Sequence, residues 1–233
     1  MEILTNGPES GPVYVFAHGA GADMRSEFIT QVAEKLAEKG IRVVRFNFPY
    51  MIKRTEDGKR RPPDRAPKLI AAYEELIKQL TGPVVIGGKS MGGRMSSMLM
   101  AENAQRDTKN QLPILGCACL GYPFHAPKKD PKNRLDHLKE LTEPLLIVQG
   151  TRDPMGNQEE VTFYQEEGRI NSAVKLSWLE DGDHDLKPRK ASGYSHQQHI
   201  DNAIDQVADF VLYVNQLGKR KLSSKDGDLL SAF

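Results

Sequence analysis

Short apolar runs alternate along the chain with segments whose apolar residues recur at helical spacing. The runs Val13–Ala17, Arg42–Phe46, Val84–Gly87, Ile114–Leu120, Leu145–Gln149 and Val174–Leu179 are rich in valine, isoleucine and leucine, and most lack strict in–out alternation. Strands of that kind are buried on both faces, as in a parallel sheet. Between them the spacing predicts helices over about Glu27–Lys39, Pro67–Leu80, Met91–Ala104, Glu159–Glu167 and His196–Leu217. The last of these carries Ile200, Ala203, Ile204, Val207, Phe210, Val211 and Val214, an apolar stripe suited to core packing. The expectation is an α/β fold of about six mostly parallel strands with helices on both faces.

Two segments depart from this rhythm. Residues 49–66 read as a long polar loop carrying Lys53, Arg54, Lys59, Arg60, Arg61 and Arg65, and loops of that length are usually functional or disordered. Residues 219–233 are rich in serine, aspartate and lysine and read as a frayed tail. With no repeat and no linker composition, the division is one domain over residues 1–217 and a flexible C-terminal tail over 218–233.

Charge and composition narrow the classes. The 233 residues include 32 basic and 31 acidic ones, a net charge of +1, so no general attraction to nucleic acid or anionic membrane is expected. The longest nearly unbroken apolar stretch, Leu112–Tyr122, falls well short of the ~18 residues of a spanning helix. The first residues, Met1-Glu2-Ile3-Leu4-Thr5-Asn6-Gly7, show neither a basic leader nor an apolar segment, which points to the cytoplasm. Cys117 and Cys119 lie two apart in one strand and share a face, an arrangement that suits core residues and not an intrachain disulfide. No further metal ligands accompany them, so no metal and no cofactor is expected. A small-molecule substrate is the expected partner, and the sequence specifies no oligomeric state.

The chemistry-bearing pattern is Gly88-Lys89-Ser90-Met91-Gly92, directly after Pro83-Val84-Val85-Ile86-Gly87 and before a helical segment. A serine at such a strand-to-helix turn is lifted clear of the sheet by a strained backbone, and the glycines leave room for close packing. A serine nucleophile needs a base and a group that orients the base. Asp153 follows the strand Leu145–Gln149, within Gly150-Thr151-Arg152-Asp153-Pro154, and His184 follows Val174–Leu179, among Asp181, Asp183 and Asp185. Taken singly, Asp153 before a proline also fits a turn, and His184 among acids a solvated loop residue. Together they follow Ser90 in the order and on the loops that this chemistry requires. The oxyanion needs two backbone N–H donors. Met91 and, in His18-Gly19-Ala20-Gly21-Ala22, Ala20 are the candidates, with His18 read as a structural residue that holds that loop. Gly21, Arg94, Phe124 and His125 are candidate substrate contacts.

With those residues in place the chain resembles the α/β-hydrolase superfamily from about Pro12 to Leu217. The motifs HGAGADM, FNFPYM, GGKSMGGR, GYPFHAP, QGTRDPMG and GDHDLKPRK resemble most a small dienelactone-hydrolase-like branch, the one that includes testis-expressed protein thirty and a subunit of a histone acetyltransferase complex. The resemblance implies a compact single-domain α/β-hydrolase with Ser90 as nucleophile, Asp153 as acid and His184 as base. Two departures qualify it. The first core strand begins near residue 12, so the usual antiparallel edge pair is expected to be shortened or absent. Residues 121–143 are too few for a lid domain, which argues against a lipase. Dienelactone hydrolases also use a cysteine nucleophile where this chain has a serine.

The function expected is hydrolysis of a small soluble ester, thioester or amide through an acyl-enzyme. A scaffold that keeps the fold without catalysis is the alternative from another class, and acyl transfer to an acceptor other than water would use the same triad. The basic loop from Lys53 to Arg65 is expected near the mouth of the site, either binding an anionic leaving group or simply solvated.

Overall fold

The computed structural model describes the backbone of residues 1–127 and 134–230 and side chains as far as Arg220. Its strands are β1 (Ile3–Asn6), β2 (Val13–Ala17), β3 (Arg42–Phe46), β4 (Val84–Lys89), β5 (Ile114–Leu120), β6 (Leu145–Gly150) and β7 (Val174–Leu179). Its helices are α1 (Glu27–Glu38), α2 (Pro49–Asp57), α3 (Ala66–Lys78), α4 (Met91–Ala104), α5 (Asp136–Glu140), α6 (Gln158–Glu166) and α7 (His196–Leu230). The strands form one seven-stranded sheet in the order β1-β3-β2-β4-β5-β6-β7. All pairings are parallel except β1 with β3, which is antiparallel.

Side chains of successive strand residues go to opposite faces, and each face buries a different set of helices. On one face Tyr14, Phe16, Val43, Val85, Ala118, Leu120, Leu146 and Val148 pack with α1 and α7. On the other, Val15, Ala17, Val44, Phe46, Ile86, Cys117, Cys119 and Ile147 pack with α2 to α6. Each such aliphatic or aromatic side chain removed from water contributes about 1.5–3 kcal/mol. Cys117 and Cys119 share that second face as free, buried thiols with sulfurs 3.5 Å apart.

The sheet runs outward in both directions from β2 and β4, since the chain leaves β2 toward β3 and leaves β4 toward β5. A crevice opens outside the carboxyl ends of strands at such a switch point. The loop after β2 and the turn after β4, where Ser90 stands, both lie there.

One expectation about elements needs correction, and two elements extend the reading. The sheet of about six mostly parallel strands has seven, because residues 3–6 add an antiparallel edge strand that is short and half exposed, with no apolar alternation to announce it. The antiparallel edge is thus shortened to a single strand. Residues 49–57 are helical, not a loop. Pro49 fits the first turn, Tyr50 and Met51 are buried, and Gly58 closes the helix in the left-handed conformation at φ 69°. The backbone of the last helix continues to Leu230, into the segment from 218 read as a tail. Extending an anchored helix needs no new nucleus, so weakly apolar residues can follow. Residues 231–233 of that tail lie outside the described residues. So do residues 128–133 within the segment judged too short for a lid, where the described part contains the five-residue α5.

Candidate active site

Ser90 sits between β4 and α4 at φ 52° and ψ −116°, a backbone conformation that non-glycine residues rarely adopt. Its N–H donates to the Leu120 carbonyl at 3.0 Å, and its carbonyl accepts from the Arg94 N–H at 3.0 Å. The glycines on either side are dictated by the backbone of the neighbouring strand. A Cβ on Gly88 would lie 2.6 Å from the Ala17 oxygen, and one on Gly92 would lie 2.6 Å from the oxygens of both Ala17 and His18. No side-chain adjustment relieves such contacts, because the obstructing atoms are main chain.

The structure brings Ser90, His184 and Asp153 into one hydrogen-bonded line. His184 Nε2 is 2.8 Å from Ser90 Oγ, and His184 Nδ1 is 2.8 Å from Asp153 Oδ2. The carboxylate only accepts, so Nδ1 carries the proton and Nε2 is left to accept from the serine hydroxyl. Asp153 is fully buried. It is held by two further donors, the Gln149 side-chain amide at 2.8 Å and the Met155 N–H at 2.7 Å.

The loop after β2 faces this line. His18 accepts from the Phe48 N–H through Nε2 at 3.1 Å and donates to the Gly19 carbonyl through Nδ1 at 2.7 Å, so it is a loop-holding residue in its neutral form. Burial pushes its pKa down to about 4, against the opposing effect of the Gly19 carbonyl. The Tyr50 hydroxyl donates to the Ala20 carbonyl at 3.0 Å, and Arg54 donates to the Gly21 carbonyl at 3.2 Å. The peptide that carries the Ala20 N–H is held by its Gly19 carbonyl, from His18 Nδ1 at 2.7 Å and the Tyr50 hydroxyl at 3.4 Å. Among the described residues the Ala20 N–H makes no turn or loop hydrogen bond. Met91 opens α4, so its N–H has no intrahelical acceptor.

A cavity of about 580 Å³ lies over Ser90, walled by the Gly19–Ala22 loop, Phe28, Ile29, Met155, His184, Lys187 and His196. Of the candidate substrate contacts, Gly21 lines it and Arg94, Phe124 and His125 do not. Phe124 is fully buried against Tyr122, with ring centroids 4.9 Å apart. His125 is buried between the Ala126 carbonyl at 2.9 Å and the Glu160 carboxylate at 3.2 Å. Arg94 lies half-buried near Tyr122 and Arg134, with burial lowering its pKa. A larger open groove of about 1210 Å³ runs along α6 and holds no nucleophile.

Residues 10–212 match the alpha/beta hydrolase domain family. The chain belongs to that family. Solved structures with the same fold include Est1E from Butyrivibrio proteoclasticus with ferulic acid bound, 17% identical at a TM-score of 0.65 over 92% of this chain and 95% of that one. Dienelactone hydrolase from Anabaena variabilis is 16% identical at a TM-score of 0.63, over 88% and 90%. The thioesterase domain from the curacin biosynthetic pathway is 14% identical at 0.61, over 90% and 94%. At these identities the likeness is one of fold. It gives this α/β hydrolase a dienelactone-hydrolase-like architecture.

Three residues of this α/β hydrolase site escaped the sequence reading. Gln149, fully buried, stands next to last in the otherwise apolar β6 and ties Asp153 to the loop of Tyr122, from whose N–H it accepts at 2.6 Å. A lone amide near the end of a hydrophobic strand was the available signal. Tyr50 was hidden in the segment read as a loop. Lys89 stood inside the glycine–serine motif, at a position where the motif itself accepts any residue.

Proposed function

We propose that this protein is a serine hydrolase of a small, soluble ester, thioester or amide, working through Ser90, His184 and Asp153. The observation that carries the reading is the continuous line of hydrogen bonds from Asp153 through His184 to Ser90, each 2.8 Å long. In the reaction Ser90 Oγ attacks the substrate carbonyl carbon as its proton passes to His184 Nε2. The carbonyl π electrons move to oxygen, and the N–H groups of Met91 and Ala20 stabilise that oxyanion. The tetrahedral intermediate then collapses, the leaving group departs with the proton from His184, and an acyl-serine remains. A water deprotonated by His184 releases the acid and restores the hydroxyl.

The cavity supports a small acyl group. Its walls near Ser90 include Phe28, Ile29 and Met155 on the apolar side and Lys187 and His196 on the polar side. Nothing among the described residues groups ligands for a metal, and no helix there is long and apolar enough to cross a membrane. The proposal extends to a cytoplasmic enzyme that acts on a small substrate presented in water.

The test is fluorophosphonate labelling of the full-length protein, read by intact mass beside Ser90→Ala. Stoichiometric labelling that vanishes in the variant is expected. A folded wild type that takes no label overturns the proposal.

A further inference from the structure

Lys89 is a buried cation to which the acyl-transfer steps give no task. It ends β4, next to Ser90, and its side chain is 11% exposed. A buried ammonium is costly unless oxygen acceptors replace its water. Lys89 Nζ donates to the His184 main-chain carbonyl at 2.6 Å and lies 3.3 Å from the Asp185 carboxylate. Burial lowers its pKa, and Asp185 opposes that shift. The turn after β5 is shaped to admit this contact. Gly121 adopts φ 59°, and a Cβ there would lie 2.5 Å from the His184 oxygen and 2.9 Å from Lys89 Nζ.

We propose that Lys89 is a positioning residue for the general base: from the strand end that carries Ser90, its ammonium grips the His184 carbonyl and holds the imidazole at reach of the serine hydroxyl. This rests on the reading of Ser90 and His184 as nucleophile and base. The other ties of the loop act beside residue 184. Asp181 is bound by Arg152 and Arg189, the Arg152 N–H donates to the Gly182 carbonyl, and Asp183 Oδ1 accepts from the N–H groups of Asp185 and Lys187. Among the described residues only Lys89 hydrogen-bonds the His184 main chain. The ring is aligned by Asp153 at Nδ1 and Ser90 at Nε2, and the hold on the carbonyl restrains the main chain from which the ring projects. Because Lys89 and Ser90 are consecutive, the clamp references the base to the nucleophile directly. A charge-assisted bond is stronger than a neutral one and suits the purpose.

The experiment compares full-length wild type with Lys89→Met and Lys89→Arg. It reads kcat and KM on p-nitrophenyl acetate, the melting temperature, and the downfield proton resonance of His184 Nδ1–H, which is visible whether or not the protein turns over. Displacements of about 1 Å at a reacting centre cost on the order of 100-fold. Lys89→Met is therefore expected to lower kcat by ~10- to ~100-fold with KM changed less than about threefold, and to broaden the resonance. Lys89→Arg, which keeps a cation and donors, recovers part of both. Should Lys89→Met fail to fold, Lys89→Gln carries the same readings, its amide being too short to reach the His184 carbonyl.

A folded Met or Gln variant with wild-type kcat and an unchanged resonance overturns the clamp, whatever its melting temperature. So does a fall in stability with no change in kcat. A wild type that shows the resonance but neither turns over nor labels sinks the hydrolase reading alone, and the resonance in Lys89→Met then decides the clamp.

Discussion

Ser90 and His184, the proposed nucleophile and base, are held in place by opposite means. Ser90 is fixed by its immediate neighbours in sequence, between glycines that cannot carry a Cβ and at a φ of 52° that the strand and helix impose from both sides. His184 lies in a loop with its own backbone departures, Asp181 at φ 57° and Leu186 at φ 63°. Its hold comes from elsewhere: Asp153 after β6, Lys89 at the end of β4 and Arg152 and Arg189 on Asp181. A locally determined residue fails all at once when one neighbour changes. One held by several distant partners should fail by degrees, except where a partner, here Asp153, also sets its tautomer.

The largest effect belongs to Ser90, the proposed nucleophile. Ser90→Ala should lower kcat/KM for an activated ester by about 10⁴-fold or more, leaving only what the oxyanion donors and binding supply. Asp153→Asn should come close behind at about 10⁴-fold, because an amide that donates to Nδ1 forces the wrong imidazole tautomer. Steady-state kinetics on both variants check the pair. An Asp153→Asn protein within about tenfold of wild type would show that Asp153 does not orient the base.

Next comes Gly88→Ala, which breaks the local side of the comparison. The added Cβ meets the Ala17 oxygen at 2.6 Å, the Gly92 carbonyl carbon at 2.6 Å and the Gly93 nitrogen at 2.8 Å, all main chain. The expected loss of stability lies at or above the upper end of overpacking, about 3 kcal/mol. Urea unfolding measures it. A melt unchanged from wild type would mean the elbow yields more easily than its contacts indicate.

The same contrast separates what was legible in the sequence from what was not. The helix Met91–Ala104 and the strands beside it were readable because their signals are local: apolar runs, helical spacing, and glycines at a fixed offset from serine. Asp153 and His184 were readable as positions because each follows a strand whose end could be read. What holds them was not readable. Gln149, Lys89 and Tyr50 act across 4, 95 and 30 residues of chain respectively, on Asp153, His184 and Ala20. Periodicity carries no record of such pairs. The α2 segment was misread for a related reason: its charges signal a loop, while its burial rests on Tyr50 and Met51 alone. Phe124 and His125 were expected at the site from their place after β5, yet both side chains turn into the fold.

Acid should loosen the Gly19–Ala22 loop before it denatures the sheet. Burial holds His18 at a pKa of about 4, below the 6.5 of an ordinary histidine. Between these values the unfolded chain binds a proton that the folded one does not. The contribution to stability is therefore fully present above about pH 6.5 and is lost as pH falls to about 4, amounting to about 3 kcal/mol. His137, also pushed down to about 4 by burial and by Arg94, acts in the same direction. Urea midpoints across this window should fall with pH, and the His18 ring proton signals should stay neutral until its lower end. A midpoint flat across the window would refute the assignment.

The smallest effect is expected where the ties are shared. Asp181 takes the Arg189 side chain and N–H and the Arg152 guanidinium, and the Arg189 hydrogen bonds hold its pKa near about 2. Asp181→Asn keeps the shape, and asparagine tolerates the left-handed backbone as well as aspartate does, so only the charge is removed. With Asp153 and Lys89 still holding His184, kcat should drop by no more than about threefold to tenfold with KM nearly constant, consistent with one weakened partially exposed ion-pair set. Combining it with Lys89→Met sharpens the comparison. If the two ties share one task, the double variant should lose more than the product of the single losses, since each tie then compensates for the other. Simple multiplication would mean that Asp181 shapes the loop independently of where His184 points, and the hold on the base would reduce to Asp153 and Lys89.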